Sequence, residues 1–385
     1  MEIHIEAKGA VSDGETLNTK VIQEAINECH AAGGGRVVVG AGRFRTGSLD
    51  LKSGVELHLE SGAVLLGSPR LEDYPKLEVS GFRPAGAPEQ TTEALIRAIH
   101  AEGVSITGSG MIDGEGQAFY DREPPDGKWE KPGRPRPRLV MFYGCKDFRI
   151  EGVQLVDAAM WTIWLMQCAF GQVRGITIRG DRRMRNVDGI DIDACRMVTV
   201  SDCLMDTEDD CVVLRSIQNL YEEPAICEGI TVTNCTLKTA CQGVRVGVPS
   251  DGVIRDCTFS NLVIQSTHNG ILFQYPHRYL RKETESRADV SRIVFSNCVI
   301  RCDRWPIRII VEEGIELKRL SHLSFSHFQV ESGEAIVVQG SPETTIREVR
   351  FSDIEITTRG EVPIEARRVR GLQLDDVRLS GVGKG

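Results

Sequence analysis

The six residues Val232-Thr-Asn-Cys-Thr-Leu237 decide the fold, because closely similar phrases recur along most of the chain. Phe295-Ser-Asn-Cys-Val-Ile300 and Phe351-Ser-Asp-Ile-Glu-Ile356 repeat the pattern, in which apolar residues flank a central Asn or Asp. The other copies start at Ile150, Val200 and Ile254. The alternation predicts two short strands that meet at a polar corner. Successive copies lie about 20 to 50 residues apart, which is the self-similarity typical of a solenoid.

A solenoid also explains which residue types recur. One coil cannot bury its inward Ile, Val, Leu and Cys side chains alone, so stacked coils share a continuous core. A corner Asn or Asp tolerates left-handed backbone and can bond neighbouring amides, so stacked corners are expected to form ladders. Leucine-rich repeats are excluded because their LxxLxL signature is absent, and tandem helical repeats have the wrong period.

A helix is predicted before the first strands, over residues 18–29. It places apolar residues three and four apart on one face, and Gly33-Gly34-Gly35 ends it. The residues of that face are Val21, Ile22, Ala25, Ile26 and Cys29. We expect the helix to cap the open N-terminal end of the solenoid, where strand edges would otherwise be exposed. The predicted organisation is a single domain over 1–385, with a cap over about 1–35 and coils over about 36–385.

Charge and composition restrict the partners. The chain has 385 residues and a formal net charge of −9, which disfavours nucleic acid or an anionic membrane as the main partner. No apolar run is long enough for a membrane span, and the first residues lack the features of a secretory signal, so we predict a cytoplasmic location.

The 12 cysteines are then expected to be reduced and buried. No CxxC pair occurs, and we predict neither a metal nor a cofactor. The oligomeric state stays open.

Two segments interrupt the repeats, residues 118–138 and 274–289. Proline, glycine and charged residues dominate the first, which predicts a loop. Both segments could wall a cleft, or they could be surface insertions.

Carboxylates are densest in two neighbouring stretches, Asn186-Val-Asp-Gly-Ile-Asp-Ile-Asp193 and Asp206-Thr-Glu-Asp-Asp210. Acids this close raise the pKa of at least one member. Adjacent Asp209 and Asp210 can serve one site only if the backbone bends there. Inverting glycoside hydrolysis needs an acid and a base carboxylate roughly 6.5–9.5 Å apart. A solvated acidic corner and a calcium site are the alternatives, although the EF-hand spacing is absent.

Nearly the whole chain resembles the polygalacturonase family, glycoside hydrolase family 28. Asn186-Val-Asp-Gly-Ile-Asp191 is similar to the family's Asn-Thr-Asp-Gly-Ile-Asp, and Asp209-Asp210-Cys211 matches its Asp-Asp-Cys. Further resemblance is carried by residues 13–68, 108–116, 136–142 and 161–164. The resemblance implies an all-β fold, a single-stranded right-handed parallel β-helix with an N-terminal capping helix. It also implies that Asp209 is the general acid, while Asp188 and Asp210 hold and activate the water.

The chain departs from the family at its substrate-binding motifs. The family's Gly-His-Gly appears as Cys241-Gln242-Gly243, and Gln242 cannot take up a proton as imidazole does. The family's Arg-Ile-Lys, which grips a galacturonate carboxylate, aligns with Leu272-Phe273-Gln274, and the later Tyr has no counterpart near residues 306–309. An uronate therefore loses its bidentate partner. The cations that could replace it are Arg215, Arg245, His277, Arg278 and Arg308.

Seven residues are predicted to bind substrate. Trp164 could offer a flat face to a pyranose, whereas Trp161 is interpreted as structural. His268 is either a coil corner or a substrate contact. The predicted substrate-binding residues are Gln242, Arg245, Gln274, Trp164, His268, Asn186 and Asp191.

The predicted function is hydrolysis of pectic oligosaccharides, with inversion, on a non-standard sugar rather than polygalacturonate. The oligosaccharide is the expected partner. A β-helix lyase or epimerase is one alternative, but such enzymes usually place a basic residue or a calcium ion at the site. An inactive carbohydrate-binding solenoid is the other, and the three retained aspartates argue against it.

Overall fold

The computed structural model describes residues 1–83, 91–121, 130, 132–277, 287–359 and 362–382. The chain forms two compact units. The first consists of Met1–Ile190 and Val198–Glu208, and the second of Asp191–Met197 and Asp209–Gly385. In the described part of the chain, no helix has the length and apolar character needed to cross a membrane.

Almost all regular structure is β-strand. In the described residues, the helical elements are one α-helix, α1 (Thr19–Ala31), and four short 3₁₀ helices at Ile5–Lys8, Leu71–Asp73, Gly116–Phe119 and Gln218–Leu220. The strands up to β16 are β1 (Glu2–His4), β2 (Asp13–Leu17), β3 (Gly35–Val39), β4 (Gly42–Thr46), β5 (Leu49–Leu51), β6 (Val55–Leu59), β7 (Ala63–Gly67), β8 (Ala94–Ile99), β9 (Ser105–Gly108), β10 (Met111–Asp113), β11 (Arg138–Tyr143), β12 (Arg149–Glu151), β13 (Gln154–Val156), β14 (Ile163–Met166), β15 (Ala169–Arg174) and β16 (Thr177–Arg179).

The remaining strands lengthen towards the C-terminus. They are β17 (Ile190–Asp193), β18 (Arg196–Ser201), β19 (Leu204–Thr207), β20 (Val212–Ser216), β21 (Ile226–Glu228), β22 (Thr231–Thr233), β23 (Thr236–Thr239), β24 (Gln242–Ser250), β25 (Val253–Ser266), β26 (Asn269–Tyr275), β27 (Asp289–Cys302), β28 (Ile307–Val311), β29 (Arg319–Ser332), β30 (Ile336–Gln339), β31 (Ile346–Thr358), β32 (Ile364–Arg367) and β33 (Val369–Val382).

Within the first unit, the strands stack in parallel and in register. The strands β3, β6, β9, β12 and β15 form one ladder, in which each contributes one buried apolar side chain at the same position. Those residues are Val37, Leu57, Ile106, Ile150 and Val173. A second ladder runs through β5, β8, β11 and β14. Each coil thus buries its inward residues against the next coil, the arrangement of a parallel β-helix.

The predicted helix is present at the N-terminal end as α1, two residues longer at its C-terminal end than expected. Its buried face is Ile22, Ala25, Ile26 and Cys29, while Val21 is half-buried. This face packs on β3, β5 and β6, the strands of the first coils. The capping helix predicted from the spacing of three and four residues is therefore confirmed.

The second unit has the same architecture with longer strands. One parallel ladder is β25, β27, β29, β31 and β33, and another is β20, β24, β26, β28, β30 and β32. Phenylalanines in register form a stack through its core, with ring centroids 4.4, 5.4 and 5.0 Å apart. The stacked residues are Phe259, Phe295, Phe325 and Phe351. Stacked rings of this kind bury much apolar area and fix the register between coils.

The polar corners have the predicted conformation. The central residue of each repeated phrase has a φ between 51° and 78°, in the left-handed region. These residues are Gly152, Asp202, Asn234, Asp256, Asn297 and Asp353. In the second unit, Asn261 donates to Asn234 at 3.1 Å and Asn297 donates to Asn261 at 3.2 Å. The expected ladder of stacked corner amides is therefore confirmed.

The cysteines are free, and every one except Cys241 is buried, in agreement with their expected use as small apolar side chains.

The predicted loops 118–138 and 274–289 lie partly outside the described residues, at 122–129, 131 and 278–286. The interpretation of these loops as cleft walls stays a prediction. So does the single domain over 1–385.

Candidate active site

Asp209 and Asp210 stand in the second unit, in an irregular bend immediately before β20. The Asp210 amide donates to the Asp209 side chain at 3.1 Å, and the Thr239 hydroxyl donates to the Asp209 carbonyl at 2.5 Å. Asp209 is half-buried, whereas only 1% of Asp210 is exposed. In a regular strand, adjacent side chains point to opposite faces, so two adjacent aspartates can serve one site only because the backbone bends here.

The Asp210 carboxylate pairs with Arg245 on β24, the strand beside β20, with Nη1 2.8 Å from Oδ2. Burial raises the pKa of Asp210 to about 6, Arg245 opposes that shift, and the charge of Asp209 adds to it. A buried carboxylate with a cation on one side and a second acid on the other can exchange a proton near neutral pH. Arg245, predicted to bind substrate, is engaged with this catalytic candidate.

Gln242, at the position of the family's histidine, is the first residue of β24, and its backbone carbonyl accepts from the Cys211 amide at 3.0 Å. Its amide donates to the Cys241 sulfur at 3.0 Å, and its carbonyl oxygen accepts from the backbone N–H of Asn269 at 3.2 Å and from the Asn269 side chain. Only 8% of Gln242 is exposed. The residue therefore holds β24 and β26 together, and its amide cannot carry a proton.

A metal-binding geometry exists at the same place. Ligand atoms of Asp209, Asp210 and Cys241 all lie within 4.8 Å of one another. Arg245 already balances the charge of Asp210. Burial and the two carboxylates raise the pKa of the Cys241 thiol, which favours the thiol over the thiolate that a metal needs. The predicted absence of a metal stays a prediction.

Asp191 lies in a buried ion cluster, and its predicted contact with substrate stays a prediction. Asp191 and Asp193 are 1% and 0% exposed, and Arg215 on β20 lies between them with 2% exposure. The guanidinium is 3.6 Å from Asp191 and 3.7 Å from Asp193. The second half of the Asn-Val-Asp-Gly-Ile-Asp motif thus supports a buried ion cluster. Arg215 is also ruled out as a free cation for substrate.

Asp188 belongs to the first unit. It is 5% exposed, and its carbonyl accepts from the Thr162 amide at 3.0 Å, which joins it to the edge of β14. Asn186 precedes it in left-handed backbone, with φ 60°, and accepts from Arg136 at 3.0 Å. The convergence of Asp188 with the other two aspartates stays a prediction.

Arg136 is a site residue that the predictions missed. The residue is 3% exposed, and its guanidinium donates to the carbonyls of Ala159 and Arg185, to the Tyr120 hydroxyl and to Asn186. It therefore fixes the segment that leads to Asp188. The signal was an Arg-Pro-Arg sequence directly before an apolar strand, but a solvated arginine gives the same pattern.

Trp164 is fully buried, at 0% exposure, and its ring packs against Phe82 and Trp161. The guanidinium Cζ of Arg138 lies 4.2 Å from the centre of the Trp164 ring. The prediction that Trp164 offers a face to a sugar is therefore wrong. Trp161 is 5% exposed, in agreement with its interpretation as structural. Strand alternation alone could not separate the two roles, because both faces of β14 are buried.

The strand β26 carries the residues at the family's uronate clamp. Leu272 is 2% exposed, Gln274 is half-buried, and neither provides a cation. His268, just before the strand, is exposed at a coil corner. Of the predicted substitutes, His277 donates its amide to Glu312 at 2.8 Å and its ring bonds to Glu313, while Arg278 lies outside the described residues.

Comparison with known proteins identifies the family. Residues 29–365 match the family described as glycosyl hydrolases family 28. A probable polygalacturonase from Vitis vinifera is 30% identical over 277 residues, and the match covers 68% of this chain and 55% of that protein. An endo-polygalacturonase from Pectobacterium parmentieri is 24% identical over 355 residues, with 88% of this chain and 84% of that protein covered. The chain thus spans about half the length of the Vitis vinifera relative.

The same fold occurs in a hyperthermoactive exopolygalacturonase from Thermotoga maritima. It superposes with a TM-score of 0.83 at 23% identity, over 97% of this chain and 91% of that chain. The predicted fold class, an all-β right-handed parallel β-helix, is confirmed by this similarity and by the ladders of parallel strands. The chain belongs to glycosyl hydrolase family 28, a family of glycosidases.

Proposed function

We propose that this protein hydrolyses pectic oligosaccharides with inversion, with Asp209 as general acid and with Asp210 and Asp188 as the carboxylates that activate water. The observation that carries the proposal is the pair Asp209–Asp210, in which a buried, arginine-bound carboxylate with a pKa of about 6 lies beside a more exposed one. The role of Asp188 rests on the match of its motif to the family. Polygalacturonase relatives support the substrate class.

The proposed reaction is a single displacement. Asp209 gives its proton to the glycosidic oxygen as the bond from that oxygen to the anomeric carbon breaks. Water attacks the anomeric carbon from the opposite face, and Asp210 with Asp188 takes the proton of that water. A base whose pKa lies near 6 accepts this proton more readily than an ordinary carboxylate would. Arg245 keeps the base ionised between turnovers.

The pH dependence follows from the same carboxylate. Asp210 must be ionised to act as base, so kcat should rise as the pH increases through about 6. Arg245 lowers the pKa of Asp210, so Arg245→Gln should move this rise to higher pH. A pH profile of kcat for both proteins checks this. A rise that stays at the same pH in the variant would disconnect Arg245 from the base.

The sugar at the cleaved bond is proposed to be neutral or deoxy rather than galacturonate. An unpaired buried carboxylate costs several kcal/mol, and Leu272 and Gln274 provide no cation for one. Turnover of galacturonate oligomers should therefore be slower than turnover of equally long oligomers that end in a neutral sugar or rhamnose. Efficient cleavage of polygalacturonate that depends on its carboxylates would contradict this.

No residue geometry in the described chain favours a lyase or an epimerase over hydrolysis. Family membership favours the hydrolase, and the presence of all three aspartates of the family's motifs, Asp188, Asp209 and Asp210, argues against an inactive carbohydrate-binding solenoid. The predicted cytoplasmic location and the predicted lack of nucleic-acid and membrane partners stay predictions.

A further inference from the structure

The strand β33 is the outermost member of the ladder of long strands in the second unit, and one of its edges is free. Of the strands in the described residues, only β31 pairs with it, in parallel. Its inward side chains follow those of β31 in register and are all apolar. They are Leu372, Leu374, Val377 and Leu379, and we call them the open layer. A free edge also leaves a row of backbone N–H and C=O groups without strand partners.

The open layer is far more exposed than the layer it packs on. In β31 the residues in register with it are no more than 1% exposed. Those residues are Val349, Phe351, Ile354 and Ile356. By contrast, Leu374 is 54% and Leu379 is 37% exposed, and the other two members are half-buried. The open layer therefore has the composition of a core and the exposure of a surface, which is typical of an interface between proteins.

The charges of β33 lie outside the open layer. Proteins often block a free strand edge with inward-pointing charges, prolines or a covering helix. In β33 the charged residues are Asp376 at the corner, with a φ of 52°, and the outward residues Asp375 and Arg378 beside it. Both acids are already paired, since Arg378 donates to both oxygens of Asp376 and Arg350 lies 3.6 Å from Asp375. Charge thus does not prevent a second strand from approaching this edge.

The sequence on the two sides of the corner is nearly the same in both directions. It is Leu-Gln-Leu-Asp from Leu372 to Asp375, and Leu-Arg-Val-Asp from Leu379 back to Asp376. Two β33 strands in antiparallel pairing, with a two-fold axis at the corner, would place apolar residues opposite apolar residues and polar residues opposite polar ones. The facing pairs would be Leu372 with Leu379, Gln373 with Arg378, Leu374 with Val377 and Asp375 with Asp376.

We propose that the free edge of β33 is an interface between two copies of this chain, related by a two-fold axis between Asp375 and Asp376. A two-fold interface needs a surface that is complementary to itself, and the near-palindrome of β33 provides one. The two strands exchange backbone hydrogen bonds in antiparallel pairing, while the two open layers cover each other. The inference is independent of the proposed hydrolysis, because these residues are not part of the candidate active site.

Sedimentation velocity over a series of protein concentrations tests the interface. The wild-type protein should pass from monomer to dimer as its concentration increases. Leu374→Lys places a charge in the open layer of both copies, so it should weaken dimerisation by about 100-fold, or about tenfold for each copy. Val263→Lys is the matched control, because Val263 on β25 is similarly exposed, at 49%, and lies outside β33. It should leave the dimer unchanged, and circular dichroism checks that each variant is folded.

A cysteine pair tests the antiparallel register. Since Leu372 of one copy faces Leu379 of the other, Leu372→Cys/Leu379→Cys should form covalent dimers when oxidised glutathione is supplied, and neither single variant should. The wild-type protein, in which every cysteine except Cys241 is buried, gives the background.

Three results would overturn the inference. The first is a wild-type protein that stays monomeric at every concentration, and the second is a dimer that Leu374→Lys leaves intact or that Val263→Lys weakens equally. The third is covalent linkage of either single cysteine variant as efficient as that of the double variant, which would reject the two-fold register.

Discussion

Asp210→Asn should lower kcat by about 10²- to 10⁴-fold, the contribution typical of a positioned acid or base. The amide keeps the shape of the carboxylate but cannot accept the proton of the attacking water. It also removes the ion pair with Arg245. Asp209→Asn should have an effect of the same size, because an amide cannot protonate the leaving oxygen. Initial rates of reducing-end release measure both.

The matched control is Asp256→Asn, an exposed aspartate at a coil corner of the same unit. Asn tolerates the left-handed backbone there, and the lost surface pair with Arg292 has little value. Its kcat should equal that of the wild type. Near-full activity of Asp209→Asn or Asp210→Asn on a substrate that the wild type cleaves would refute the assigned roles.

Arg215→Met should destabilise the protein by about 3–5 kcal/mol, because it leaves two buried carboxylates without their cation. Asp191, Asp193 and Arg215 are each no more than 2% exposed, so water cannot replace the lost partner. Arg301→Met, which breaks the exposed pair with Glu331, should cost only about 0–1 kcal/mol. Urea unfolding at neutral pH gives both free energies of unfolding. Equal effects of the two variants would mean that the buried cluster contributes no more than a surface pair.

The repeating architecture was predictable because it is a local property of the chain. Each phrase combines alternating apolar residues with a corner residue that accepts positive φ, and one phrase constrains the next through stacking. Asn234 and Asn297 could therefore be assigned to corners and ladders before any distance was known. The α1 helix was predictable for the same reason, since its buried face follows a spacing of three and four.

Individual side-chain roles at the site were less predictable. Asp191 belongs to a motif that suggests substrate contact, yet Arg215, 24 positions later, buries it in an ion cluster. Trp164 looks like an exposed sugar platform in a short strand, but β14 is buried on both faces. Such outcomes depend on which coil covers which face, and that information is spread over distant parts of the sequence.

The central claim is hydrolysis with inversion, and proton NMR of the first-formed product tests it most directly. The spectrum is recorded while the enzyme cleaves pectic oligosaccharides, before the new reducing end equilibrates between its anomers. The account predicts that the new reducing end appears first in the anomeric configuration opposite to that of the cleaved bond, without vinyl protons. First appearance of the retained anomer, or of the vinyl signals of an unsaturated sugar, would contradict it.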